Sequence, residues 1–218
     1  MRYVDRIEAG RSLAGYVADA LAALPPIVAE APPLVLGVPR GGVIVAAPIA
    51  DHLRGELDVA LARKIGAPHN PELAIGAVGE SGDPFLSAEI IRSLGVADDY
   101  IAAAIEQAKG ELVRRAALYR GDRPAAEIAG RIVIVVDDGI ATGATLRATL
   151  QTVRSRSPAK LVCAVPVGPP SSVAELTAEV DVMVCPLQPR WFRAVGEWYA
   201  TFGQTSDSEV IATLEEFA

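Results

Sequence analysis

The residues best equipped for chemistry are Asp137 and Asp138, adjacent carboxylates that follow an aliphatic run at residues 132–136. A short loop comes next: Gly139, Ile140, Ala141, Thr142 and Gly143. Paired carboxylates suit vicinal hydroxyls or a hydrated Mg²⁺, a cation that binds one or two carboxylates and keeps several waters. The loop suits an anion, because its small residues let a phosphate approach backbone N–H groups and Thr142 and Thr145 add hydroxyls. One ligand could satisfy all three features: a sugar phosphate with free hydroxyls.

These groups need a scaffold, and the flanking residues describe one. The aliphatic run reads as a strand buried on both faces, as in a parallel sheet covered by helices. A helical pattern begins at Ala144 and runs to about Arg156. The strand–loop–helix order places the loop at the carboxyl edge of the sheet, where open α/β folds bind ligands. Helix N-termini leave N–H groups unpaired and carry partial positive charge there. A plain capped helix would account for the strand and for Thr142 as the cap, but not for two adjacent acids before this loop.

The stretch at residues 132–146 resembles the signature of the type I phosphoribosyltransferases: apolar residues, two acids, then a Thr/Gly-rich loop. The resemblance implies that Ala141, Thr142, Gly143, Ala144 and Thr145 grip the 5-phosphate of phosphoribosyl pyrophosphate (PRPP). It likewise implies that Asp137 and Asp138 hold the ribose hydroxyls and bind Mg²⁺ directly or through water. Asp5-Arg6, Ala9-Gly10 and Leu13-Ala14 also resemble the opening of a bacterial subgroup described only by this family.

A second strand–turn–helix lies upstream, with a strand at residues 34–38, the turn Pro39-Arg40-Gly41-Gly42 and a helix to about Leu53. Gly41 and Gly42 can expose backbone N–H groups, and Arg40 offers a planar set of donors for phosphate. An arginine beside two glycines is by itself an ordinary turn; in the family this position binds pyrophosphate. Residues 57–61 read as the next strand, followed by a loop at residues 63–72 whose Gly, Pro and Asn content is poorly committed to regular structure. Arg63-Lys64 with Gly66 and Pro68 is similar to the basic start of the mobile loop of adenine phosphoribosyltransferases. Residues 73–79 look like a further strand.

The chain has 218 residues, 51% hydrophobic and 22% charged, enough for one large folded domain with a substantial core. The resemblance implies a core at about residues 34–186 with a hood from about residues 1–30 and 187–218. Net charge of −7 argues against broad nucleic-acid binding. Pro, Gly or charge interrupts every apolar run, so no membrane span is expected, and the N-terminus lacks the apolar core of a signal peptide. Cys163 and Cys185 read as small buried hydrophobes, and a cytoplasmic location follows. His52 and His69 lack metal-ligand spacing.

Elsewhere the pattern predicts helices over residues 3–24, from Ser87 to about Gly95, over residues 101–119 and over residues 207–217. Strands are expected at residues 161–167 and 181–185. Alternating strands and helices argue for a doubly wound, mainly parallel α/β sheet. Trp191, Phe192, Trp198, Tyr199 and Phe202 crowd the tail. Most of these rings suit a satellite core, while the resemblance places one, Trp191 or Phe192, at the substrate base.

The resemblance implies displacement at the anomeric carbon: a nitrogenous acceptor, expected to be a nucleobase, attacks PRPP as pyrophosphate leaves. Arg40, Arg63, Lys64, Asp137 and Asp138 are the candidate catalytic residues of this pentosyl transfer. Such catalysis is positioning and electrostatics and needs no nucleophilic side chain. In hypoxanthine–guanine enzymes the position of Ala141 holds an aspartate, so a 6-oxopurine acceptor is disfavoured. A non-catalytic PRPP- or nucleotide-sensing regulator on the same fold is the alternative. No Gly-x-Gly-x-x-Gly follows a strand, which argues against a dinucleotide fold. The acceptor, the pathway and the oligomeric state are not legible, and a homodimer stays open.

Overall fold

The computed structural model describes residues 2–25 and 31–217. In chain order it contains α1 (Arg6–Ala22), β1 (Leu34–Gly37), α2 (Gly41–Leu53), β2 (Glu56–Val59), β3 (Ala62–Ala67), β4 (Asn70–Gly79) and β5 (Pro84–Leu86). Then come α3 (Ala88–Leu94), α4 (Asp98–Arg120), β6 (Ile132–Val136), α5 (Ala144–Arg154), β7 (Lys160–Ala164), α6 (Pro170–Thr177), β8 (Val182–Val184) and α7 (Asp207–Glu215). Residues 26–30 of the expected hood lie outside the described residues.

The central sheet is parallel throughout, in the order β2-β1-β6-β7-β8. Its side chains alternate between two cores, as the pleat requires. Val35, Ile134, Val136 and Val162 pack with Val17 of α1, Ile49 of α2, Leu112 of α4 and Val210 of α7. Leu36, Val133, Val135 and Cys163 pack on the other face with Leu150 of α5 and Leu176 of α6. Each such side chain removed from water contributes roughly 1.5–3 kcal/mol. Helices on both faces explain why the strands read as unbroken aliphatic runs: neither face meets solvent. Both cysteines are buried and unpaired, and burial pushes the Cys185 thiol up to about 12.

Two expectations are corrected. The segment at residues 63–72 is not an irregular loop: β3 and β4 pair antiparallel, and β5 completes a second, three-stranded sheet. Its Pro and Gly residues are accommodated by register shifts on either side of Gly66, and Ile65, Ala67 and Ile75 bury one face against the core. The first helix starts at Arg6 rather than residue 3, because Asp5 caps it by accepting the Glu8 N–H at 2.8 Å. Tyr3 instead bridges Tyr199. Tyr3, Ala9, Val167 and Tyr199 form a satellite core, with Phe192, Val195 and Trp198 against it. Chain from before the central sheet is thereby joined to chain from after it.

Candidate active site

Strand β1 has β2 on one side and β6 on the other, so the winding direction reverses there. In open α/β sheets the crevice beyond the carboxyl ends at such a point is the ligand site. Gly37 pairs with Val136, and Val38 N–H donates to the Val136 carbonyl at 2.8 Å. The turn after β1 and the loop after β6 therefore leave the sheet side by side. A Cβ at Gly41 would lie 2.0 Å from Asp138 Oδ2. Only glycine allows that approach, so Arg40-Gly41 and the acid pair share one crevice.

The two acids stand in different surroundings. Asp137 Oδ1 accepts the Asp138 N–H at 2.8 Å. Burial, and then the neighbouring Asp138 charge, hold the Asp137 carboxyl well above the usual carboxylate range. Burial also raises Asp138, opposed by a hydrogen bond from Arg6 Nε to its Oδ2 at 2.8 Å. Tyr199 Oη donates to the Asp138 carbonyl at 2.5 Å. Arg6 further donates from Nη1 to the Gly203 carbonyl at 2.8 Å, and its guanidinium lies 4.0 Å from the Phe202 ring centroid. Phe202, Tyr199 and Tyr3 continue as tilted rings 4.9 and 5.7 Å apart. A half-buried acid pair held by one cation suits an incoming cation or hydroxyl donors. Among the described residues no group of three or more His, Cys, Asp or Glu is arranged around a metal position. The pair could supply part of a shell only, which fits Mg²⁺ completed by water and ligand oxygens.

The loop at residues 139–143 is fixed at its base: Ile140 N–H donates to the Val167 carbonyl at 2.9 Å, and Ser172 Oγ to the Ala141 carbonyl at 2.9 Å. Its tip is open, with Ala141, Thr142 and Thr145 exposed and Gly143 and Ala144 half-buried. Thr142 does not cap α5. Gly143 occupies the cap with φ +74° and no side-chain hydrogen bond, which leaves the first N–H groups of α5 facing outward, as an anion site needs.

Arg40 lines a cleft of about 380 Å³ with Arg6, Gly41, Phe202 and Gln204, and its nearest carboxylate is Asp207 at 3.9 Å. Arg63 and Lys64 lie on β3 and line a separate cleft of about 480 Å³ that also reaches Thr145. Arg63 Nη1 donates there to Glu111 Oε1 at 2.5 Å. The structure thus brings Arg40, Gly41 and Gly42 to the acid pair, and Arg63 and Lys64 to the far side of the loop. Of the two expected base-contact rings, Phe192 packs in the satellite core and Trp191 is 90% exposed. Arg6, Tyr199 and Phe202 touch the crevice directly or through one another, which sequence reasoning does not anticipate. The only signal for Arg6 is its place in the opening Asp5-Arg6, and for the two rings their membership of the aromatic cluster.

The family model described as "Phosphoribosyl transferase domain" matches residues 4–199. The Mycobacterium tuberculosis (strain H37Rv) protein named "Putative phosphoribosyl transferase Rv0571c" is 42% identical over 211 residues, 97% of this chain and 46% of that protein. A counterpart from strain CDC 1551, "Putative phosphoribosyl transferase MT0597", matches to the same extent. The chain therefore spans about half the length of the curated relatives it matches. Among solved structures, TT1426 from Thermus thermophilus is 45% identical, with a TM-score of 0.89 and 100% of both chains covered.

Proposed function

The chain belongs to the phosphoribosyl transferase domain family, and from that premise we propose that it binds PRPP with Mg²⁺ in the crevice between β1 and β6. There it transfers the phosphoribosyl group to a nitrogenous acceptor, a nucleobase in this reading, and releases pyrophosphate. The observation that carries the proposal is the contact of Gly41 with Asp138, which joins a pyrophosphate-type turn to the acid pair in one crevice. Residues 34–186 act as the core, with flanking chain as the hood. Nucleotide metabolism in the cytoplasm, by a homodimer, belongs to the same proposal. No helix among the described residues is long and apolar enough to cross a membrane.

In this mechanism the N–H groups and hydroxyls of residues 141–145 hold the 5-phosphate. Asp137 and Asp138 accept the ribose hydroxyls and place negative charge near the sugar as positive charge develops on its ring. Arg40 and the N–H groups of Gly41 and Gly42 balance the charge growing on pyrophosphate, while Arg63 and Lys64 from the hairpin add positive charge from the far side of the phosphate loop. Asp137 and Asp138 would hold Mg²⁺ directly or through water, and the cation would supply positive charge to offset that of the leaving group. Arg6 keeps Asp138 oriented, and the hood rings shield the crevice from water. Ala141 offers no carboxylate to the acceptor, which argues against a 6-oxopurine.

The test is thermal stabilisation by PRPP in the presence and absence of Mg²⁺, followed by pyrophosphate release across a panel of nucleobases. The proposal expects Mg²⁺-dependent stabilisation that an Asp137→Ala, Asp138→Ala double variant loses, and turnover with at least one base. Equal stabilisation of wild type and double variant would refute the site. Tight PRPP binding without turnover on any base would favour a PRPP-sensing regulator instead.

A further inference from the structure

The cleft between the β3–β4 hairpin and α4 is lined by cations in a chain whose net charge is −7. Arg63 and Lys64 enter from β3, Thr145 from the first turn of α5, and Tyr100, Gln107 and Arg115 from α4. The α4 residues fall on one stripe of that helix, at helical spacings. No described carboxylate lines the cleft; Glu111, at its margin, pairs with Arg63. Arg115 is half-buried, makes no ion pair among the described residues, and has its guanidinium 5.8 Å from the Tyr119 ring centroid. The cleft has a fixed wall, since Tyr100 Oη donates to the Gly66 carbonyl at 3.0 Å and ties α4 to the hairpin.

We propose that Arg115 binds the phosphate monoester of the donor. This rests on the PRPP reading above and adds α4 to its machinery. The phosphate is held from two sides, by the outward N–H groups of α5 and by the planar guanidinium of Arg115. A guanidinium matches phosphate oxygens in a bidentate fashion. Thr145 identifies which end of the donor is concerned, because it belongs both to this cleft and to the phosphate loop. The pyrophosphate end lies at the other cleft, beside Arg40 and Gly41.

The experiment uses the whole chain with Mg²⁺ and three probes: PRPP, ribose 5-phosphate and inorganic pyrophosphate. Binding is titrated by thermal shift for wild type, Arg115→Ala, Arg115→Lys and Arg114→Ala, the last removing an exposed neighbouring charge on the same helix. Unliganded melting temperatures identify any variant that is merely misfolded, and Arg115→Lys serves should the alanine variant fail to fold. Arg115→Ala is expected to weaken ribose 5-phosphate about tenfold and to leave pyrophosphate unchanged. Arg115→Lys should recover part of the loss, and Arg114→Ala should match wild type. Equal weakening of both probes, or no weakening of ribose 5-phosphate, overturns the role of Arg115 while the PRPP reading stands. A wild type that ignores PRPP overturns both.

Discussion

Arg6 Nε lies 2.8 Å from Asp138 Oδ2, although 132 positions separate the two residues. Their side chains are only 13% and 17% exposed, so the contact cannot be treated as a screened surface pair. Arg6→Ala leaves the Asp138 carboxylate without its cation, and a loss on the order of 2–3 kcal/mol in unfolding free energy is expected. Arg6→Lys, which keeps the charge but not the planar stack on Phe202, should lose less. Urea titration of both variants measures the difference.

The raised Asp137 carboxyl makes the unliganded protein sensitive to pH. The folded state retains its proton above the pH at which the unfolded chain releases it, so this contribution is complete below about 3.9 and declines as pH rises. Asp137→Asn should flatten that decline and raise the melting temperature near pH 8. The same variant should weaken Mg²⁺-dependent PRPP binding. Melting curves from pH 4 to 8, with and without PRPP, check both outcomes.

Arg120 is buried and donates to Asp58 Oδ1 at 2.6 Å, to both oxygens of Glu80 and to the Val59 carbonyl at 3.0 Å. It joins the end of α4 to β2 and to the residue that follows β4. Arg120→Ala strands two carboxylates, and a loss of roughly 3–5 kcal/mol is expected from an uncompensated buried pair. Chemical denaturation reads that loss, and faster proteolysis within residues 62–79 would place it at the hairpin.

The Arg63–Glu111 pair is solvent-accessible, at 46% and 29% side-chain exposure. Glu111→Gln should therefore change stability by less than about 1 kcal/mol. It should nonetheless tighten PRPP binding, because it frees Arg63 for the ligand. Matched denaturation and PRPP titrations separate the two effects; a weaker PRPP affinity would argue that Glu111 positions Arg63 rather than withholding it.

The parts of this molecule legible in its residues are those set by local pattern. Val133 to Val136 announce a strand buried on both faces, and the order of acids, small residues and helix announces the loop. Arg6 is not legible as a site residue, because nothing near it in sequence indicates Asp138 or Phe202. The β3–β4 hairpin escapes notice for a different reason: Gly66, Pro68 and Pro71 carry a loop-like composition, while the sheet shows itself only in pairings such as Lys64 with Ala77. Among the tail rings, exposure separates Trp191 from Tyr199, and composition does not.

The bridge from Tyr3 to Tyr199 has a consequence for how the chain acquires its crevice. During synthesis Arg6 emerges early, yet its partners Asp138, Phe202 and Gly203 emerge far later. Closing so long a loop carries an entropic cost that only the finished sheet can offset. A nascent chain released before residue 203 would hold the acid pair and the phosphate loop while Arg6 still lacked the ring and carbonyl that seat it.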